Sequence, residues 1–261
     1  PSNQSVLMLA FNKNIAEELT QRINLPNVEV KTFHSLGFAA YRNVHGSKVK
    51  MDNNKLSRLI DDLVNNSDLS PAEKAGIGYI SRFVKLGKSM GIGTPILSND
   101  EDNWLNLIDH PDIGGMDGVD LSHIIPICQE ILFRSNNIKS VIDFDDMIYM
   151  PVVQNLSFKK YDWVFVDEAQ DTSQTQRWIL KALMKPSSRL VAVGDPCQAI
   201  YGFRGADSTS LAGIKQDFDS TTLPLSISYR CAKSIVAEAQ KYVSHIESSS
   251  TAEEGSVTRV A

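Results

Sequence analysis

The sequence has no apolar run of about 18 residues, and its first residues lack the basic start and apolar stretch of a signal peptide. No membrane span is expected, and the chain is expected to be cytoplasmic. Cysteine is scarce. Cys128, Cys197 and Cys231 lie far apart, and no Cys-x-x-Cys or Cys/His cluster offers zinc-ligand spacing, which excludes a zinc module and fits a reducing compartment. Nor is positive charge in excess: 26 Lys+Arg stand against 31 Asp+Glu, for a net charge of -5. That excludes a polybasic binder holding nucleic acid by charge alone, so any such contact must be local. What is present, 42% hydrophobic and 22% charged residues in a chain of 261, is enough for one large globular domain or two modest ones.

Ser5–Ala10 (SVLMLA) fits a buried parallel strand, and Ile15, Leu19 and Ile23 then recur at helical spacing. After Pro26, VEVKT (Val28–Thr32) alternates like a second strand, and Phe33–Tyr41 again carries apolar residues at helical intervals. Between roughly Val44 and Ser140 strand-like runs are few, which predicts a mostly helical insertion. Strands return at Tyr161–Val166 (YDWVFV) and Arg189–Gly194 (RLVAVG), separated by a helix from Gln174 to Met184 that Pro186 closes. A further short strand is expected around Thr221–Ser226 and a helix over Ala232–Val243. Such alternation predicts an α/β fold, a parallel sheet with helices on both faces. We divide it into a first part of the sheet domain (1–44), an insertion (45–140), a second part (141–220) and the start of another domain (221–261).

The sharpest chemical feature is VFVDEAQD (Val164–Asp171), an apolar strand ending in Asp167 and Glu168. Ligands of parallel sheets sit at the carboxyl ends of strands. One carboxylate there can hold Mg²⁺, while its neighbour orients and deprotonates a water that attacks a phosphate. The pair has an equally simple reading as a cap for the following helix, since Asp favours that position. A second segment, VGDPCQAIYGFRGAD (Val193–Asp207), carries Gln198 and then Tyr201, Phe203 and Arg204 in a Gly-rich stretch. Aromatic faces can stack on unpaired bases and an arginine can meet phosphate; equally, the aromatics could be core residues at a turn.

Taken together and in order, DEAQD, GDPCQAIYGFRGAD and LPLSISYR (Leu223–Arg230) resemble motifs II, III and IV of the UvrD/Rep type of superfamily 1 helicases. LAFNKNIAEEL (Leu9–Leu19) resembles their motif Ia, KTFHSLG (Lys31–Gly37) their motif Ib, and IDFDDMIYM (Ile142–Met150) the segment before motif II. The resemblance implies a RecA-like motor domain that uses ATP and Mg²⁺ to move on single-stranded DNA and open duplex junctions. It implies Asp167 as the magnesium-side carboxylate, Glu168 as catalytic base, Gln198 as sensor of the terminal phosphate and Arg230 as an arginine finger. Strand contacts would fall to Phe11, Asn12, Thr32, His34, Tyr201, Phe203 and Arg204; Phe203 stands where many members have tryptophan. His34 by itself also reads as an ordinary capping or core histidine.

The family's adenine-contacting glutamine and Gly-x-x-x-x-Gly-Lys-Ser/Thr loop do not stand ahead of motif Ia here, nor do motifs V and VI follow motif IV. Gly87-Lys88-Ser89 mimics the end of such a loop, but Arg82 occupies the place of its first glycine. The chain thus resembles a motor-domain fragment, expected by itself to bind ATP weakly. Two other functions compete with the motor: a non-catalytic DNA-binding or scaffolding relic, which would need none of Asp167, Glu168, Gln198 and Arg230, and the helicase portion of a helicase-nuclease, for which no carboxylate–lysine cluster is evident.

Overall fold

Two strand-to-helix steps begin the computed structural model, which describes residues 3–108, 110, 113, 121–198 and 210–258. β1 (Val6–Leu9) leads to α1 (Lys13–Arg22), and β2 (Val28–Lys31) to α2 (Phe33–His45). Each helix starts on a polar cap just past the strand end. Asn12 Oδ1 accepts the Ile15 N–H at 2.9 Å, and Thr32 Oγ1 accepts that of Ser35 at 3.1 Å while Ser35 Oγ accepts that of Thr32 at 3.1 Å. Such caps contribute about 1 kcal/mol each and set where the chain turns.

A helical stretch follows: β3 (Lys50–Met51), α3 (Lys55–Asn65), α4 (Pro71–Met90), α5 (Glu101–Leu105) and α6 (Ile125–Asn137). Its strand content among the described residues is β3, paired in parallel with β4 (Val141–Ile142). α4 opens on a Ser70/Glu73 capping box and closes at Gly91 in the left-handed region, φ 84°. Next come α7 (Asp146–Val153), β5 (Tyr161–Val166), α8 (Gln174–Ala182), β6 (Met184–Ala192) and α9 (Ser210–Phe218). The main sheet has the order β2-β1-β5-β6, every neighbour parallel. With helices flanking it, this is the α/β, RecA-like fold that the pattern predicts. Among the described residues no helix is long and apolar enough to cross a membrane.

Two apolar cores meet along α7. Ile148 and Val152 join Leu7, Leu9, Val164, Val166, Ile179 and Leu180 beneath the sheet, whereas Tyr149 and Met150 join Ile80, Phe83, Trp104 and Ile131 among the helices. α2 packs against α7 so closely that a Cβ on Gly37 would lie 2.0 Å from the Met147 carbonyl oxygen. Gly37→Ala should therefore destabilise the fold by about 1–3 kcal/mol in denaturant titration, overpacking outweighing alanine's higher helix propensity of about 1 kcal/mol.

Between α3, α4 and α7 lies a buried ionic quartet. Lys88 Nζ is 2.7 Å from Asp146 Oδ1 and 3.1 Å from Asp143 Oδ2; Lys55 Nζ is 2.7 Å from Asp146 Oδ2 and donates to the Ser135 carbonyl at 2.9 Å. Burial opposes charge on both lysines and on Asp146; it prevails at Lys55, but the paired charges win at Lys88 and Asp146. Lys88 is held above the ordinary lysine range by Asp146 and Asp143 against the effect of burial. Asp146 is held below the carboxylate range by Lys88 and Lys55, again against burial. The lysine of the Gly87-Lys88-Ser89 mimic is thus committed to fastening α4 onto α7.

Two expectations need correction. Pro186 does not close α8, which ends at Ala182; it lies within β6, which starts at Met184. There the pairing with β5 shifts between Tyr161 and Trp163, and the looped-out residues are held by Ser188 Oγ, which accepts the Lys185 N–H at 2.7 Å and donates to the Tyr161 carbonyl. Proline is tolerated at such a bulge. The chain divides into compact units Pro1–Phe218 and Asp219–Ala261. In the second, the strand expected at Thr221–Ser226 is instead β7 (Ile227–Ser228), followed by α10 (Lys233–Ala239) and by β8 (Glu247–Ser248), which pairs with β7 in parallel. Leu223 and Leu225, 80% and 85% exposed, are not buried by this two-stranded sheet.

Candidate functional site

The carboxyl ends of β1, β2 and β5 open into one cavity of about 550 Å³. Phe11 and Asn12 line it from the end of β1, Thr32 and His34 from β2, and Asp167 and Glu168 from β5. α4 forms another part of the wall through Arg82, Lys85 and Ser89, and the turn before α7 contributes Phe144 and Asp145. Burial, more than the nearby Lys85 and Lys88 charges can offset, raises the Asp145 carboxyl above the ordinary range.

Motif II is fixed by its neighbours. The Asp167 N–H donates to the Leu9 carbonyl at 3.1 Å, continuing the β1–β5 ladder one residue past the strand. The chain then turns sharply: Glu168 adopts φ 51° and ψ 46°, a left-handed conformation that costs a non-glycine residue about 1–3 kcal/mol and is found where function demands it. Asp167 Oδ1 accepts the Glu168 N–H at 3.1 Å. Neither carboxylate caps α8. Ser173 does so, accepting from Gln176 and receiving its side chain in return, so the plainer reading of Asp167 and Glu168 is not what the geometry shows.

From Glu168 a chain of hydrogen bonds runs to the motif III residue Gln198. Gln170 Nε2 donates to Glu168 Oε2 at 2.6 Å, the Asp195 N–H donates to Gln170 Oε1 at 3.1 Å, and Gln198 Nε2 donates to Asp195 Oδ2 at 2.7 Å. Gly194 makes this approach possible, since a Cβ there would lie 2.5 Å from Gln170 Oε1. Gln170, 3% exposed, and Asp195 were not singled out from sequence; a glutamine two residues beyond the acidic pair and an aspartate three before Gln198 are the signals that could have found them.

On the other side, the His34 ring stacks on Phe144 with centroids 3.9 Å apart and planes 22° from parallel. Phe144 is 53% exposed, which is unusual for phenylalanine and leaves a ring face toward solvent. It too was missed, although a phenylalanine set among acids in IDFDD was the clue. Asn12 and Thr32 line the cavity while capping α1 and α2, so their side chains already have structural partners. Tyr201, Phe203 and Arg204 lie outside the described residues. Arg230 is exposed and belongs to the second unit, just after β7.

A parallel sheet flanked by helices, with an acidic pair at the end of a central strand, defines a RecA-like helicase domain. The UvrD/REP helicase N-terminal domain matches residues 1–219, and the chain belongs to that family. It is 26% identical over 280 residues to the ATP-dependent DNA helicase srs2 of Schizosaccharomyces pombe, covering 94% of this chain and 30% of that protein. A probable DNA helicase II homolog of Rickettsia felis is 24% identical over 265 residues, covering 94% and 38%. The ATP-dependent DNA helicase Rep of Buchnera aphidicola is 35% identical over 115 residues, 41% of this chain and 18% of that protein. The chain spans about a third of the length of the first two relatives.

Proposed function

We propose that this domain is part of an ATP-driven motor that moves on single-stranded DNA and opens duplex junctions. The observation that carries the reading is the single cavity in which Asp167 and Glu168 meet Phe11 and His34. In this reading Glu168 takes the proton of the attacking water, Gln198 senses the terminal phosphate, and Arg230 stabilises its developing charge. The hydrogen-bonded chain through Gln170 and Asp195 supports coupling between base and sensor. Asp167 suits Mg²⁺: one oxygen is taken by a backbone N–H, and no group of three His, Cys, Asp or Glu among the described residues could hold a metal. An ion bound through one carboxylate and substrate phosphates needs no such group. When bound, it neutralises phosphate charge.

The strand is read by stacking on His34, Phe144 and Phe11, with Tyr201, Phe203 and Arg204 of motif III and with Asn12 and Thr32 at the helix starts. Base–aromatic stacking of this kind is worth about 1–3 kcal/mol per base and is indifferent to sequence. Two motor domains, one of residues 1–44 and 141–220 with residues 45–140 inserted, the other beginning at 221, complete the reading.

No Gly-x-x-x-x-Gly-Lys-Ser/Thr sequence, the pattern whose backbone N–H groups and lysine cradle β and γ phosphates, occurs in the 261 residues. Titration calorimetry of the chain with ATP and Mg²⁺ should accordingly give a Kd weaker than micromolar, less than about 8 kcal/mol of binding free energy. Micromolar or tighter binding would move the nucleotide site elsewhere.

A further inference from the structure

Arg82, Lys85 and Ser89 recur along α4 at intervals of three and four residues, so they share one helix face. The other faces bury Ile80, Phe83 and Val84 in the helical core. All three of the recurring residues line the cavity that Phe11, His34 and Phe144 line. Arg82 and Lys85 are exposed, and neither makes a hydrogen bond or ion pair among the described residues, although the Lys85 charge is felt at Asp145. Elsewhere on the surface, helix cations such as Lys13, Arg22, Arg134 and Lys181 have carboxylate partners.

The cation pair is also held rigidly. One turn further along, Lys88 is locked to Asp143 and Asp146, and the Ser89 carbonyl accepts from Thr175 Oγ1 at 3.2 Å. α4 is thereby fixed to α7 and α8, the helices on either side of motif II in sequence. Two cations about 4.5 Å apart along a fixed helix axis lose little freedom when they meet an anion.

We infer that Arg82 and Lys85 form a phosphate clamp: the helical region contacts the backbone of a single strand of DNA through this pair. The proposal rests on the DNA-binding reading above and gives α4 a direct part in it. Charge complementarity selects the occupant. In a chain of net charge -5, two unpaired cations on a cavity wall facing stackable rings match phosphodiesters with attached bases. Division of labour follows, the rings giving salt-independent affinity and α4 the salt-dependent part.

The test is the binding of a fluorescent oligo-dT to the 261-residue chain at several salt concentrations. Each phosphate neutralised on a single strand contributes a slope of about -0.7 in log K against log salt, so Arg82→Ala/Lys85→Ala should reduce the slope by about 1.4. Its affinity loss should then be roughly 25-fold greater at 0.1 M than at 1 M salt. The charge-preserving Arg82→Lys/Lys85→Arg protein should keep the original slope, and the midpoint of thermal unfolding should be unchanged in both. An unchanged slope in the alanine double variant, with Phe144→Ala still weakening binding, overturns the clamp and leaves the DNA reading standing. A shifted unfolding midpoint with an unchanged slope assigns the pair to balancing Asp145 and overturns the clamp equally. Absence of oligo-dT binding by the unaltered chain overturns both readings.

Discussion

Glu168→Gln, in a protein that joins these residues to a phosphate loop, should lower DNA-stimulated ATP turnover by about 10²–10⁴-fold while leaving ATP affinity nearly unchanged. The amide keeps the size of the side chain and an oxygen to accept from Gln170 Nε2, now at 2.6 Å from Glu168 Oε2, so the link toward Asp195 and Gln198 persists. Only proton acceptance is lost. Single-turnover hydrolysis alongside nucleotide binding separates the two effects, and unchanged turnover removes Glu168 from the mechanism. Gln170→Ala tests the same geometry without touching the proposed base: turnover should fall less, because the carboxylate survives while the link to Asp195 is cut.

Asp146→Asn should destabilise the fold by about 3–5 kcal/mol, the range for breaking a buried pair by removing one partner. Asp146 serves both Lys88 and Lys55, so the amide leaves two buried lysines with the single carboxylate of Asp143, which reaches Lys88 alone. The pH dependence follows from the depressed Asp146 carboxyl. A carboxyl held below its unfolded value stabilises the fold fully above that value, about 3.9, and loses this contribution as pH falls through the folded value. The gap between the unaltered protein and the variant should thus be full at neutral pH and narrow in strong acid. Urea titrations at both ends of that range check it; equal stability at neutral pH would show that the quartet contributes nothing to the fold.

Much of the sheet was legible because parallel strands buried on both faces read as short apolar runs. β5 coincides with Tyr161–Val166, and both early strand-to-helix steps follow the expected order. Pro186 misled for a physical reason: proline ends helices, but it also fits a bulge on a strand paired on one side among the described residues. The acidic pair could be read from sequence as a strand-end site, whereas the left-handed turn at Glu168 could not, since nothing in VFVDEAQD specifies φ 51° at a glutamate. Contacts distant in sequence were invisible for the same reason. His34 and Phe144 are 110 residues apart, and Arg82 rules out a phosphate loop ending at Lys88 without revealing that Asp143 and Asp146 surround that lysine. Gly37 is the converse case: legible as part of a motif, it acquires a cause only from the carbonyl of Met147.

The central claim is that the cavity at the carboxyl edge of the sheet receives the DNA strand beside the hydrolytic carboxylates. Photo-crosslinking with an oligonucleotide carrying 5-iododeoxyuridine, followed by peptide mapping of the 261-residue chain, tests it most directly. Crosslinks are expected on the peptides that contain Phe11, His34 and Phe144, three separate segments of the chain that all line this cavity. Crosslinks absent from all three, and confined to the outer faces of α3 and α6 or to residues 219–258, would contradict the account.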